Sequence, residues 1–302
     1  MNGLVVGLGE ILWDRLPSGE VPGGAPFNFA IHAAGMGHPA AMVSAVGDDA
    51  DGRLIVGMAA ARGVDVSGVA TDPVRPTGAV DVVVDAAGKA DYRFLADVAW
   101  DALRPTAPQR GVMSRAKAVC FGTLAQRSAE SRAGLAALLD LASEALVVCD
   151  LNFRQGFHSA EVARASLARS RWAKLNDEEL PVLAQYLGLR SPGPAERARE
   201  LLEQFGLELV ALTLGADGAI LVTPGETLRM PAPKVRVVDT VGSGDAFTAG
   251  LVARRLEGAT PPEMLSFAIA LAAVTATRKG GTPAVDRGEV ESLAAVVGRT
   301  KS

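Results

Sequence analysis

Residues 237–250 read Val-Val-Asp-Thr-Val-Gly-Ser-Gly-Asp-Ala-Phe-Thr-Ala-Gly, the most informative stretch of the chain. Apolar β-forming residues give way to glycines, and a helical pattern follows as far as about Leu256. Glycines let the backbone turn tightly and approach a ligand closely. Because N–H groups at the start of a helix bind anions, we predict that Gly242–Asp245 forms a cradle for a phosphoryl group.

Asp245 is unusual in such a cradle because its negative charge would repel phosphate. A general base acting on a substrate hydroxyl resolves the conflict, since catalytic aspartates in phosphoryl transfer occupy this kind of position. The competing interpretation is an N-terminal helix cap, for which aspartate is a preferred residue.

Neither common nucleotide-binding signature is complete. Gly88-Lys89 is followed by Ala90 instead of Ser or Thr, so no Walker A loop is present. Gly7–Leu12 lacks the third glycine of the GxGxxG pattern. An ATP site in this chain must therefore have another design.

Outside this segment the chain alternates short apolar runs with helical stretches. The predicted strands are Leu4–Leu8, Ala41–Val46, Ala118–Phe121, Leu146–Asp150, Trp172–Asn176 and Leu209–Thr213. The predicted helices are Phe27–Ala34, Gly52–Arg62, Ser128–Ala142, Ala160–Ala168, Glu178–Leu187 and Ala195–Phe205. This order predicts an α/β fold with a central, mostly parallel sheet flanked by helices on both faces. Ligands of such sheets bind at the edge where the strands end.

Two stretches, residues 10–23 and 77–95, break this rhythm. The first is an extended pair around Pro17–Gly19, and the second alternates apolar and polar residues around a turn at 86–89. Alternation indicates strands with one buried and one exposed face. We predict a small antiparallel β lid inserted in a single domain of residues 1–302; a decoration or a dimer contact are the alternatives.

The composition argues against several classes of protein. Hydrophobic residues make up 49% of the 302 residues, enough for a sizeable core. A net charge of −4 with interleaved signs argues against a nucleic-acid or membrane partner. We expect a cytoplasmic protein, because the chain shows no signal peptide and no apolar run of about 18 residues. Cys120 and Cys149 are expected to be buried free thiols, and zinc has no support.

A second glycine motif, residues 23–30, reads Gly-Gly-Ala-Pro-Phe-Asn-Phe-Ala. Taken alone it is an ordinary turn-to-helix junction. Together with Asp-Thr-Val-Gly-Ser-Gly-Asp-Ala-Phe at 239–247, it resembles the two signatures of the ribokinase-like (PfkB) carbohydrate kinase family. The resemblance covers essentially the whole chain. It implies ATP-dependent phosphorylation of a small sugar held under the lid.

The resemblance also implies roles for individual residues. The catalytic set is Asp245 as base, the anion hole Gly242, Ser243 and Gly244, and Arg154; the sugar-binding set is Asp14, Gly23, Gly24, Asn28 and Asn152. The alternative for Asp14 is a solvated turn beside Arg15. Arg154, in Asp-x-Asn-x-Arg after a predicted strand, would clamp the phosphoryl group, or it pairs with Asp150.

On the nucleotide side, Asn176 and Glu179 match the family's Asn-x-x-Glu, which organises Mg²⁺ and phosphate largely through water. Thr213, Gly215 and Gly218 match its nucleotide loop. The alternatives are a helix start with favourable acids and a simple turn into the next strand. Some members bind K⁺ near the positions of Asp239 and Thr240, so K⁺ is a candidate second cation.

The acceptor is expected to be fructose, because Glu10–Asp14 and Val98–Asp101 look most like the fructokinase-like branch. Ketodeoxygluconate, ribose and a nucleoside are alternative acceptors, and a non-catalytic sugar-binding regulator is the alternative from another class. Trp13 would stack on the sugar or lie at an interface. His158 stands where many members carry an aromatic residue. The family also suggests a homodimer formed through the lid sheet.

Overall fold

The computed structural model describes residues 3–17, 19–84 and 90–299. The strands are β1 Leu4–Leu8, β2 Leu12–Leu16, β3 Gly19–Gly23, β4 Ala40–Gly47, β5 Val64–Asp72, β6 Gly78–Val84, β7 Ala90–Phe94, β8 Ala116–Phe121, β9 Leu146–Asp150, β10 Trp172–Asn176, β11 Leu209–Thr213, β12 Ala219–Val222 and β13 Thr227–Met230. The helices are α1 Ala25–Gly35, α2 Ala50–Ala61, α3 Ala107–Met113, α4 Ala129–Leu139, α5 Ala160–Ala168, α6 Glu179–Leu187, α7 Pro194–Phe205, α8 Ser243–Leu256, α9 Pro261–Ala276 and α10 Arg287–Val297.

Within the described residues, nine strands form the central sheet in the order β13-β12-β11-β10-β9-β8-β1-β4-β5. The pairs from β11 to β5 are parallel, and only β12 and β13 are added antiparallel at one end. Parallel strands point the same way, so the loops that follow β1, β8, β9, β10 and β11 meet at one edge. The predicted central sheet is confirmed.

Helices cover both faces of this sheet because each strand is apolar on both sides. In β9, Val147 and Cys149 pack under α3 to α7, while Leu146 and Val148 pack under α1, α2, α8 and α9. Alternating strand residues point to opposite faces. The next residue on the second face is Asp150, which therefore points towards α8.

The lid is a separate sheet in the order β3-β2-β6-β7. Its two hairpins are antiparallel, and the parallel pair β2–β6 joins them. The predicted turn at 86–89 and Ser18 of the first turn lie outside the described residues. Trp13 on β2 is 4% exposed, and its Nε1 donates to the Asp51 carbonyl of α2 at 3.1 Å. Trp13 therefore anchors the lid to the core, and stacking of its ring on the sugar stays a prediction.

No helix in the described part of the chain combines the length and apolarity that crossing a membrane requires.

Candidate active site

The glycine-rich turn before α8 has the geometry of an anion cradle. Gly242, the residue before the helix, has φ 75°, and a Cβ there would lie 2.1 Å from the Gly281 carbonyl oxygen. Only glycine fits this position without strain. The helical ladder starts with the Ala246 N–H donating to the Gly242 carbonyl at 2.8 Å. The Ser243 N–H donates to the Thr240 carbonyl at 3.2 Å, whereas the N–H groups of Gly244 and Asp245 belong to the first turn, where a helix offers them no internal acceptor.

Gly242 is the residue that caps α8, and Asp245 is the third residue inside the helix. The helix-cap interpretation is therefore wrong. Instead, Oδ2 accepts a hydrogen bond of 2.8 Å from Nδ2 of Asn28 on α1. Burial, with Asp150 adding to it, raises the pKa of Asp245 to about 7, while the Asn28 bond, Lys174 and Arg154 oppose that rise. A carboxyl group with a pKa near neutrality is suited to accept a proton from a hydroxyl.

Asn28 is 5% exposed, and its Oδ1 has no hydrogen-bond partner among the residues described. Buried amide oxygens are nearly always paired in folded proteins. An unpaired acceptor next to the base is therefore a position where a substrate hydroxyl would complete the hydrogen bonding. This geometry supports the sugar-binding prediction for Asn28.

The double glycine brings the lid close to the start of α1. Gly24 has φ 106°, and a Cβ there would lie 2.5 Å from the Glu10 carbonyl oxygen. A Cβ at Gly23 would lie 2.4 Å from Oδ2 of Asp14. Asp14 is half-buried in β2, and burial raises its pKa to about 6 against the opposing charge of Arg154. The solvated-turn interpretation of Asp14 is thus wrong, and its sugar-binding role stays a prediction.

Glu10 is a site residue that the sequence reasoning missed. It lies between β1 and β2, is 2% exposed, and its Oε2 is unpaired within the described part of the chain. Burial raises its pKa to about 7, with the charge of Arg154 opposing the rise. The available signal was a glutamate between apolar residues at the point where the first parallel strand ends.

Asn176 and Glu179 bond reciprocally at the start of α6. The Asn176 N–H donates to Oε2 of Glu179, and the Glu179 N–H donates to Oδ1 of Asn176, each at 2.8 Å. Oε1 of Glu179 accepts the Phe153 N–H at 2.8 Å, which ties the loop after β9 to α6. Burial raises the pKa of Glu179, while Lys174 lowers it. The helix-start interpretation is thus correct for these contacts, and a water-mediated Mg²⁺ role for Glu179 stays a prediction.

The loop after β9 carries Asn152, which has φ 41°, and the exposed Arg154. The proposed ion pair between Arg154 and Asp150 is wrong, because Asp150 bonds to Lys174 and Thr248. The charge of Arg154 instead lowers the pKa values of Glu10, Asp14 and Asp245, so it faces the site from this loop.

His158 stacks on Phe153 with ring centroids 4.3 Å apart, and its Nδ1 lies 3.0 Å from the Tyr186 hydroxyl. It therefore braces the same loop against α6.

The nucleotide-loop residues follow β11, at the same sheet edge. The Thr213 hydroxyl donates to the Leu175 carbonyl at 3.4 Å, and Gly215 has φ 56°. Gly218 has φ 91°, and a Cβ there would lie 2.0 Å from the Met230 carbonyl oxygen. The backbone conformation at Gly215 and Gly218 therefore explains why glycine occupies these positions. Contact of this loop with ATP stays a prediction.

Asp239 ties two loops together. Its Oδ1 accepts the Val241 N–H at 3.0 Å and its Oδ2 accepts the Gly280 N–H at 2.9 Å. The K⁺ role of Asp239 stays a prediction. In the described ranges, no cluster of three or more His, Cys, Asp or Glu side chains is arranged to hold a metal ion.

Comparison with known proteins gives a consistent result. Residues 19–287 match the pfkB family carbohydrate kinase. The chain is 30% identical over 318 residues to fructokinase-1 of Oryza sativa subsp. japonica, covering 96% of each chain. It is 32% identical over 266 residues to a fructokinase of Rhizobium leguminosarum bv. trifolii, covering 83% of this chain and 79% of that one. The structure is similar to that of fructokinase with bound ATP from Xylella fastidiosa, with TM-score 0.86, 25% identity, and coverage of 98% and 99%.

Proposed function

The chain belongs to the pfkB family of carbohydrate kinases, and from this we propose that it transfers the γ-phosphate of ATP to a primary hydroxyl of fructose. The observation that carries the proposal is the half-buried Asp245 carboxylate, bonded to Asn28 at 2.8 Å in the first turn of α8. This arrangement combines a base with an anion cradle, the two features that phosphoryl transfer to a hydroxyl requires.

In the proposed reaction, Asp245 accepts the proton of the sugar hydroxyl as the hydroxyl oxygen attacks the γ-phosphorus. The bond from that phosphorus to the β,γ-bridging oxygen breaks, and ADP leaves. The N–H groups of Gly242, Gly244 and Asp245 and the guanidinium of Arg154 stabilise the charge on the phosphoryl oxygens, while the Ser243 N–H holds the turn by donating to the Thr240 carbonyl. Asp14 and Asn28 orient the sugar hydroxyls, and the lid above them excludes water that would otherwise compete as acceptor.

The residues present fit a Mg²⁺ ion that keeps most of its water ligands. Glu179 supplies one carboxylate with Asn176 beside it, and Mg²⁺ commonly binds through one or two carboxylates together with substrate phosphates. The ion would neutralise charge on the phosphates. We also propose K⁺ activation near Asp239, a cytoplasmic location and a homodimer through the lid sheet. A sedimentation experiment showing only monomer would remove the dimer.

The first experiment is a coupled ADP-release assay with Mg-ATP. The acceptors are fructose, ribose, 2-keto-3-deoxygluconate, glucose and adenosine, each with and without K⁺. We expect fructose to give the highest kcat/KM. A response to another acceptor alone would overturn the fructose assignment.

The matched control is Asp245→Asn, which keeps the shape of the side chain but removes the base. It should bind ATP while kcat falls about 100- to 10,000-fold, the usual contribution of a general base. Near-normal turnover in this variant would overturn the catalytic role of Asp245.

A further inference from the structure

A buried lysine lies beside the catalytic aspartate, and the reaction described above does not use it. Lys174 on β10 and Asp150 on β9 are opposite each other in the parallel register. Their side chains are 7% and 4% exposed, and Nζ lies 3.0 Å from Oδ1. Oδ2 of Asp150 accepts a hydrogen bond of 3.0 Å from the hydroxyl of Thr248 on α8. The pair thus connects the end of the sheet to the helix that carries Asp245.

The ammonium group lies directly beneath the anion cradle. A Cβ built on Gly244 would be 3.0 Å from Nζ of Lys174, closer than ordinary van der Waals contact. The glycine therefore leaves the space into which the ammonium group fits. Gly244 immediately precedes Asp245, so the lysine supports the backbone of the turn that would bind the phosphoryl group.

The charges around Asp245 come from several packed elements. Asp150 on β9 raises its pKa, whereas Lys174 on β10 and Arg154 on the loop after β9 lower it. Cys120 on β8 stays a neutral thiol, because burial and Asp150 raise its pKa well above the usual value. Lys174 itself stays charged, because Asp150, Glu179 and Asp245 raise its pKa against the effect of burial.

We infer that Lys174 is a positioning residue for phosphoryl transfer. It fixes the first turn of α8 from beneath Gly244, and its positive charge compensates the negative charge of Asp150, which would otherwise repel the ionised carboxylate of Asp245. This inference rests on the proposed function. A buried ion pair often adds little stability over an apolar pair of similar volume. This pair lies under the cradle and reaches α8 through the bond between Asp150 and Thr248, so a role in positioning the first turn explains it better than stability does.

Two substitutions with opposite electrostatic effects test the inference. Lys174→Met removes the compensating cation, so the acidic limb of the kcat–pH profile should move to higher pH. Asp150→Asn removes the opposing anion, so the limb should move to lower pH. The amide oxygen can still accept from Lys174, and the amide N–H can donate to the Thr248 hydroxyl, which keeps its own bond to the Gly244 carbonyl. If the limb moves by about one pH unit, kcat measured at a fixed pH below the apparent pKa changes about tenfold. A purely structural role would reduce thermal stability in both variants without moving the limbs in opposite directions.

The matched control is Arg127→Met. Arg127 and Asp101 form an ion pair with both side chains 8% exposed, and neither residue contributes to the charges around Asp245. This variant should lose thermal stability and keep the wild-type limb. If Lys174→Met does not fold, the Asp150→Asn variant alone tests the inference. An acidic limb of Asp150→Asn that is unmoved or moves to higher pH overturns the inference.

A readout independent of turnover separates this inference from the proposed function. With ¹³C-labelled aspartate, NMR follows the Asp245 carboxyl directly, and its resonance is the one missing in Asp245→Asn. If the wild type phosphorylates fructose but the titrations coincide, the inference fails and the function stands. If no sugar is phosphorylated but the titrations move in opposite directions, the charge compensation of Asp245 by Lys174 stands, whereas the fructose assignment and the role of Lys174 in phosphoryl transfer fail.

Discussion

Replacing Asp245 by asparagine is expected to make the ligand-free protein more stable above pH 7, although it removes most of the turnover. The side chain is half-buried, and desolvation raises the pKa of its carboxyl from the usual 3.8 to about 7 in the folded protein. Between these values the folded protein keeps a proton that the unfolded chain has released. The contribution of this carboxyl group to the free energy of unfolding is therefore fully present below about pH 4 and is lost as the pH rises through about 7.

The magnitude follows from the pKa difference. Each unit corresponds to about 1.4 kcal/mol, so a difference of about three units costs about 4 kcal/mol of unfolding free energy at pH 8. For a chain of this size that is a change of about 6 °C in Tm. The variant avoids this cost because an amide carries no ionisable proton. It can still accept the hydrogen bond that Asn28 donates to Oδ2 at 2.8 Å.

Differential scanning calorimetry of wild type and Asp245→Asn at pH 5, 6, 7 and 8 measures this effect. The Tm difference should favour the variant, have more than a third of its full size already at pH 5, grow up to about pH 7 and level off by pH 8. Asp177→Asn is the control, since it makes the same chemical change at an exposed position in the neighbouring loop. A Tm difference that does not change with pH, or a wild type that is more stable at pH 8, would refute the reasoning.

Three further predictions concern other site residues. Arg154→Ala should lower kcat about 10- to 100-fold with little change in Tm, because its exposed side chain acts on the phosphoryl group; a change in Tm alone would point to a structural role. Gly242→Ala should cost about 3 kcal/mol in a denaturant titration, because it combines strain at φ 75° with a clash against Gly281. Its control, Gly57→Ala in α2, has no atom within 4 Å of the new Cβ and should be neutral or slightly stabilising. Glu10→Gln should raise Tm at pH 8 but not at pH 4, because burial raises the pKa of Glu10 from 4.5 to about 7; a lower Tm at pH 8 would contradict this.

Several features of the molecule could be predicted from residue order alone. The six predicted strands of the central sheet and the lid segments lie nearly at their observed ends, because apolar runs and alternation report directly on burial. The edge strand β5 was not predicted, because its residues are mostly only partly buried and form no continuous apolar run. Gly242 was identified as a turn residue, and its φ of 75° agrees with that prediction. These properties are local, since they depend on a residue and its near neighbours in the chain.

The pairing of distant charged groups could not be predicted in this way. Arg154 is four residues from Asp150 and pairing between them was the alternative to a phosphoryl-binding role, but Lys174 occupies that position because β10 lies beside β9. Asn28 reaches Asp245 across 217 residues of sequence. Both contacts depend on which strands and helices are neighbours in space.

The pKa values of the site carboxyl groups show the same difference between what the sequence determines and what the fold determines. The residue types and spacing in Gly-Ser-Gly-Asp were enough to indicate an anion cradle with a base, because backbone conformation at glycine and charge on aspartate are intrinsic. Whether a carboxyl group is desolvated depends on everything packed around it. For Glu10, Asp14 and Asp245, packing between the lid, α1 and the sheet edge removes water and raises their pKa values to about 7, 6 and 7. Desolvation and long-range pairing come from tertiary contacts, so only the folded structure decided them.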